Sequence, residues 1–183
     1  LNPSSAASDV YKRQVKLNTV IMRGYNEDEV IGLAEYALER AIDIAFIEEM
    51  PLGEASDHAR EETTCSNAWV RDTLEQRFEL TDSEVKTAGP SRYVDVKGYE
   101  SRIGFISPVT HNFCGDCNRV RVTVEGRLLL CLGNEHSMDL RAILRAEDFD
   151  ESRLREAIVA AMDLKPERHY FYEKDHAQPV RLM

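Results

Sequence analysis

The sequence has no apolar run close to the roughly 18 residues that a membrane-spanning helix needs. Its first residues also lack the apolar stretch of a secretory signal peptide. Lys and Arg are outnumbered, 23 against 33 Asp and Glu, and form no basic stripe. We therefore expect a cytoplasmic protein that binds neither membranes nor nucleic acids, and that meets any anionic ligand with a few local cations.

Cysteine is scarce as well, with four residues in the 183-residue chain. In a reducing compartment such cysteines are poor candidates for a disulfide framework, and clustered ones more often bind metal or do chemistry. Apolar residues make up 43% of the chain, which is enough for a proper core. No internal repeat is present.

The pattern of residues 15–50 predicts an α/β fold. Residues 15–22 and 42–50 resemble buried strands, and the apolar residues between them recur at helical spacing. Such a unit has parallel strands, and its ligands gather at their C-terminal ends, here near Arg23, Glu49 and Met50.

The second half of the chain is predicted to contain short strands followed by helices. Strands are expected at 92–98 and 102–107, and a hairpin joins 119–126 to 127–133 through a turn at Glu125 and Gly126. A helix is expected at 67–78, and two more at 138–145 and 151–165. We thus predict a non-native leader at 1–14, one domain at 15–85 and a second at 86–183.

The strongest motif combines three of the cysteines. Cys114 and Cys117 form a C-x2-C pair, and the predicted hairpin would return Cys131 to their side. The chemistry stays open between inert buried thiols, a structural zinc with His111 or His136 as fourth ligand, and an iron–sulfur cluster. Three thiolates alone would leave one iron of a 4Fe-4S cluster open to a non-protein ligand.

Two arginines follow the C-x2-C pair at alternate positions. On a strand, Arg119 and Arg121 share one face, and Val120, Val122 and Val124 should face the core. The guanidinium groups could simply be solvated, but beside a cluster they form a site for a polyanion such as phosphate.

The segment FCGDCNRVRVTVEGRLLLCLG closely resembles the C-terminal region of the molybdenum cofactor biosynthesis protein A family. These proteins are the GTP 3',8-cyclases of the radical S-adenosylmethionine (SAM) superfamily. VKLNTVIMRGYNEDEV and FIEEMPLG resemble the family's later barrel strands, so the likeness runs from Val15 to Met183. It implies the C-terminal part of an incomplete (β/α) radical-SAM barrel, followed by a small α+β domain carrying an auxiliary iron–sulfur cluster.

The resemblance also implies the residues of the site, although it assigns no catalytic residue. The ligands of the second 4Fe-4S cluster would be Cys114, Cys117 and Cys131. The residues that bind GTP would be Lys16, Arg119, Val120 and Arg121. The residue that contacts SAM would be Met50. Without the resemblance, an internal ion pair for Lys16 stays open, and core packing is the favoured interpretation of Met50.

In this family SAM is cleaved at a first 4Fe-4S cluster to a 5'-deoxyadenosyl radical, which abstracts hydrogen from the ribose of GTP. The product, 3',8-cyclo-7,8-dihydro-GTP, passes to cyclic pyranopterin monophosphate synthase in molybdenum cofactor (molybdopterin) biosynthesis. A homodimer is left open.

Three features depart from the family pattern. The radical-generating C-x3-C-x2-C motif is absent, so we expect a fragment that is inactive alone, with the first cluster in a missing N-terminal half. The chain ends in VRLM rather than Gly-Gly, and Ala45 stands where the family often has arginine. The alternatives are another radical-SAM enzyme with an auxiliary cluster and a substrate such as a peptide, or a non-catalytic zinc-stapled domain.

Overall fold

The computed structural model describes residues 15–50, 60–131 and 134–168. They divide into two compact units, of which the first runs to Glu49 and includes the later residues up to His111. The second contains Met50 and the residues from Asn112 onward. The predicted leader, 1–14, lies outside the described residues.

The first unit is built on a five-stranded mixed sheet with the order β1-β2-β5-β4-β3. Its strands are Lys16–Val20 (β1), Asp43–Ile47 (β2), Leu80–Asp82 (β3), Arg92–Val96 (β4) and Arg102–Ile106 (β5). β1, β2 and β5 are parallel, whereas β4 and β3 run antiparallel to their neighbours. The predicted α/β class is confirmed.

Three α-helices of the described ranges accompany this sheet: Val30–Leu38 (α1), Arg60–Thr63 (α2) and Asn67–Glu75 (α3). α1 lies between β1 and β2 in the chain, as the apolar period predicts, and buries Val30 and Ala34 in one cluster with Ile44 and Phe46 of β2. α3 begins where the Ser66 hydroxyl accepts a hydrogen bond from the backbone N of Trp69 at 3.2 Å.

The second unit has a three-stranded antiparallel sheet made of Arg121–Val122 (β6), Arg127–Cys131 (β7) and Asn134–Asp139 (β8). The helices Leu140–Leu144 (α4) and Glu151–Met162 (α5) follow. Its core gathers on the central strand, where Leu128 and Leu130 cluster with Leu140 and Ala161.

The predicted hairpin between β6 and β7 is present, and Gly126 makes its turn. Gly126 has a φ of +82°, which favours glycine, and its carbonyl accepts hydrogen bonds from the backbone N of Leu140 and Arg141 at 2.9 and 3.1 Å. A Cβ at this position would lie 2.8 Å from the Cβ of Arg141. The turn therefore also fixes where α4 begins.

The valines of the hairpin correct one prediction. Val120, Val122 and Val124 are 42%, 62% and 98% exposed instead of facing the core. The reason is that β6 is a two-residue edge strand, while the apolar cluster of this unit forms around β7.

The predicted boundary between residues 85 and 86 falls between β3 and β4, which pair in the same sheet. The five-stranded sheet therefore continues across it. No helix in the described ranges is both long and apolar enough to cross a membrane.

Candidate functional site

The cysteine pair sits on a short 3-10 turn, Cys114–Asp116, in which the backbone N of Cys117 donates to the carbonyl of Cys114 at 3.1 Å. The Asn112 side chain accepts a hydrogen bond from the backbone N of Cys114 at 2.7 Å and fixes the entry to the turn. Cys131 ends β7. All three thiols are partly buried, and none is in a disulfide.

The pairing of β6 with β7 directs the hairpin back toward this turn at the level of the backbone. The recorded pairs are Arg121 with Leu129 and Val122 with Leu128, and the same register extended by two residues would set Arg119 across from Cys131. Cys117 lies two residues before Arg119. Strand pairing therefore supports the return, while convergence of the three sulfurs stays a prediction.

The donor set suits an iron–sulfur cluster chemically, since the turn and hairpin supply three unoxidised thiols. Within the described ranges, however, no group of three or more His, Cys, Asp or Glu side chains could hold a metal ion. This applies to the zinc alternative too: His111 contacts the guanidinium of Arg92 in the first unit, and His136 completes no such group.

Cys65 differs from the other three cysteines. It lies in the core of the first unit with 1% of its surface exposed, and burial raises the pKa of its thiol. Its place among apolar side chains marks Cys65 as a core residue.

Arg119 and Arg121 are exposed, and neither is in an ion pair with a carboxylate in the part of the chain that the structure describes. Val120 between them is exposed as well. The segment thus presents two guanidinium groups whose hydrogen-bond donors are available to an anion.

Lys165 fastens the base of the hairpin. Its ammonium donates to the carbonyls of Arg119 at 2.8 Å and Leu130 at 2.7 Å, which joins the residues after α5 to both hairpin segments. These bonds hold the backbone beside Cys131 and at the first of the two arginines.

Replacing Lys165 with methionine should loosen the hairpin, because the carbonyls of Arg119 and Leu130 lose a charged donor. Bonds of this kind contribute roughly 1.5–3 kcal/mol each. Hydrogen–deuterium exchange should become faster in peptides covering residues 119–131, and Lys86→Met, which alters an exposed lysine, should leave it unchanged. Equal exchange rates in the two variants would show that Lys165 does not hold the hairpin in place.

Lys16, the other cation assigned by the resemblance, lies at the N-terminal end of β1. Its ammonium donates to the Tyr93 hydroxyl at 2.7 Å. Asp43, its partner across the strands, instead accepts hydrogen bonds from Arg102, at 2.8 Å from the backbone N and 3.0 Å from the guanidinium. In the described chain Lys16 therefore has no ion pair, contrary to the alternative left open by the sequence.

Glu48 and Glu49 lie at the opposite end of the parallel strands from Lys16, just past β2. Glu48 is 1% exposed and accepts hydrogen bonds from the backbone N of Asn67, Val109 and Thr110. The C-terminal edge thus holds a buried structural carboxylate. Met50 is partly buried and follows β2 by three residues.

Sequence reasoning missed Tyr93 and Glu48. Tyr93 alternates with Val94 on a predicted strand, and Glu48 stands in a predicted strand end, so neither carries a local signal of its partners. Both are recognised only from contacts between distant segments.

Fold and site together define a mixed α/β protein with a cysteine hairpin and with cations that have no carboxylate partner in the described ranges. Residues 42–171 match the family model described as Molybdenum Cofactor Synthesis C. The chain therefore belongs to the Molybdenum Cofactor Synthesis C family.

Its curated relatives are longer proteins. The chain is 54% identical over 170 residues to a GTP 3',8-cyclase of Ectopseudomonas mendocina (strain ymp), covering 93% of this chain and 51% of the relative. It is 52% identical over 183 residues to the GTP 3',8-cyclase of Marinobacter nauticus, and the match covers 100% of this chain and 56% of that relative. The GTP 3',8-cyclase 2 of Pseudomonas aeruginosa is 51% identical, and the match covers 100% of this chain and 55% of that relative. The chain spans about half the length of these relatives.

Proposed function

We propose that the chain is the C-terminal part of a GTP 3',8-cyclase and contributes to its GTP site. The complete protein would convert GTP to 3',8-cyclo-7,8-dihydro-GTP by SAM-derived radical chemistry in molybdenum cofactor biosynthesis. The names of relatives that are about half identical to this chain support this assignment.

The observation that carries the proposal is that three cations have no ion-pair partner in the described chain. Lys16, Arg119 and Arg121 are the charged residues that the resemblance assigns to GTP, and none is in an ion pair in the described chain. The formal net charge is -10 at pH 7, so carboxylates are plentiful. Cations left without carboxylates in such a chain are suited to the phosphates of a nucleotide.

The remaining assignments follow the family. Residues 15–85 would form the last part of a radical-SAM barrel, and residues 86–183 a domain for GTP and the second cluster. Cys114, Cys117 and Cys131 would hold that 4Fe-4S cluster, which supplies an iron open to the purine of GTP. Met50 would contact SAM. Because this chain has no C-x3-C-x2-C motif, it would be inactive by itself.

The setting of the enzyme follows from the same family. We place it in the cytoplasm, with cyclic pyranopterin monophosphate synthase as the enzyme that consumes its product. A homodimer would be tested by sedimentation of the purified protein.

GTP binding by the anaerobically reconstituted chain tests the proposal. GTP, unlike a peptide, should perturb the visible spectrum of the iron–sulfur protein. Arg119→Ala combined with Arg121→Ala should weaken GTP binding by about a hundredfold or more, because each charge-assisted hydrogen bond contributes roughly 1.5–3 kcal/mol.

The matched control removes two other arginines from the same unit. Arg153→Ala with Arg155→Ala changes the net charge equally, and these guanidinium groups already face Asp148 and Glu151 on the surface. The control should bind GTP normally. Unaltered GTP binding in the Arg119 and Arg121 variant would remove both arginines from the site, and a colourless zinc protein would rule out the cluster.

A further inference from the structure

The partner of the Lys16 ammonium is a neutral phenol rather than a carboxylate. The ammonium is 2.7 Å from the Tyr93 oxygen and 4.8 Å from the centre of its ring. It is therefore closer to the oxygen than to the ring centre, and the hydrogen bond is the main contact. An ammonium has three N–H donors, and among the described residues only the bond to Tyr93 uses one, which leaves two for a ligand.

Tyr93 can hold the ammonium because its own ring is fixed. The tyrosine is 7% exposed and pairs across the strands with Gly104. A Cβ at Gly104 would lie 3.1 Å from a ring carbon of Tyr93 and would clash with the Ser91 hydroxyl oxygen. Because Gly104 has no side chain, the Tyr93 ring can lie against this position of the neighbouring strand.

A second cation also lies beside this ring. The guanidinium of Arg102 lies 5.0 Å from the ring centre, and its charge is shared with Asp43. Burial is the largest influence and by itself would raise the pKa of Tyr93, but hydrogen bonding, above all with Lys16, and the charge of Lys16 together lower that pKa. The ammonium and the phenol are therefore coupled electrostatically, in agreement with the 2.7 Å contact between Nζ and the phenol oxygen.

We propose that Tyr93 is a positioning residue that holds the Lys16 ammonium ready for an anionic, phosphate-bearing ligand. The proposal rests on the proposed function, in which that ligand is GTP. A carboxylate in place of Tyr93 would neutralise the lysine, whereas a phenol orients it and leaves its charge to the ligand. Tyr93 acts through Lys16 and need not touch the nucleotide itself.

Chemical labelling of the lysine tests the positioning directly. Tyr93→Phe keeps the ring beside Arg102 and removes only the oxygen. Lys16 should then undergo reductive methylation several-fold faster, measured by mass spectrometry of the whole chain, because its amine is no longer held. Tyr99→Phe is the matched control, since Tyr99 lies in the same unit, 41% exposed against Phe78. It should leave the labelling rate unchanged.

GTP binding gives a second readout through a double-mutant cycle. Tyr93→Phe should weaken GTP binding roughly tenfold, the lower end of the range for a hydrogen bond to a charged group. In a Lys16→Met background the same change should have no further effect, because there is no ammonium to position. A purely structural role would instead weaken binding equally in both backgrounds and would overturn the proposal.

The two hypotheses fail in different ways. If Lys16→Met binds GTP like the unaltered chain, the lysine leaves the proposed GTP site, and the role of Tyr93 is decided by the labelling rate. If Tyr93→Phe is labelled no faster than Tyr99→Phe, Tyr93 does not position the lysine, whatever the effect of Lys16→Met on GTP.

Discussion

Glu48→Gln is expected to lower the free energy of unfolding of the chain by about 3 kcal/mol or more, because several buried donors lose a charged acceptor together. The carboxylate, 1% exposed, accepts from the backbone N of Asn67 at 3.0 Å, Val109 at 3.2 Å and Thr110 at 3.0 Å. The hydroxyl of Thr110 also donates to it at 2.5 Å. A glutamine has an NH2 group in place of one carboxylate oxygen, so that group would face some of these N–H donors and could not accept from them.

Those bonds join three segments of the first unit. Glu48 follows β2, Asn67 begins α3, and Val109 and Thr110 follow β5. In the described chain no cation pairs with this carboxylate, so backbone N–H groups are what make its burial tolerable. Its loss should therefore loosen the segment that leads into the cysteine turn.

Urea unfolding followed by tryptophan fluorescence measures this effect. Trp69 is the single tryptophan of the chain, and it packs against the core of the first unit. Glu84→Gln makes the same chemical change at an exposed position of that unit and should leave the midpoint unaltered. Equal midpoints for the two variants would contradict a structural role for Glu48.

Cys131→Ser is expected to abolish most of the iron bound by the anaerobically reconstituted chain. If the cluster has three protein ligands, the loss of one leaves two thiolates, both from one short turn. Two thiolates on one side should bind the cluster too weakly to keep it from dissociating. Iron and sulfide analysis, with the broad charge-transfer absorption of thiolate-bound iron, measures the outcome.

Cys65→Ala serves as the matched control for this substitution. It also removes one cysteine, but from the apolar core of the first unit, where the thiol has a raised pKa. Iron content should stay at the level of the unaltered chain. If Cys131→Ser retained as much iron as Cys65→Ala, the three-thiolate site would be wrong.

Much of the fold could be predicted because its signals are local. The apolar period of α1 and the β-branched runs of β1 and β2 each depend on neighbouring residues, and the parallel unit they form is confirmed. The turn at Gly126 is a local signal too, and it produces the predicted hairpin. In such segments, local preference and tertiary structure agree.

Two strands and one strand face could not be predicted. β3 is three residues long, too short to show a period, and it exists because it pairs with β4. β8, with the sequence NEHSMD, has little alternation of apolar residues and forms by pairing with β7. The valines before the turn alternate as in a buried strand, yet they lie on an edge that the core does not cover.

The order of residues along the chain by itself determined which groups we assign to the site, namely the three cysteines of the hairpin motif, the two arginines between them and Lys16. Only the tertiary structure decided their partners. Lys16 meets Tyr93 across 77 positions, and Glu48 meets Thr110 across 62. Contacts of that separation depend on sheet order and packing, which a local pattern does not encode, and they set whether a charge is neutralised, buried or kept for a ligand.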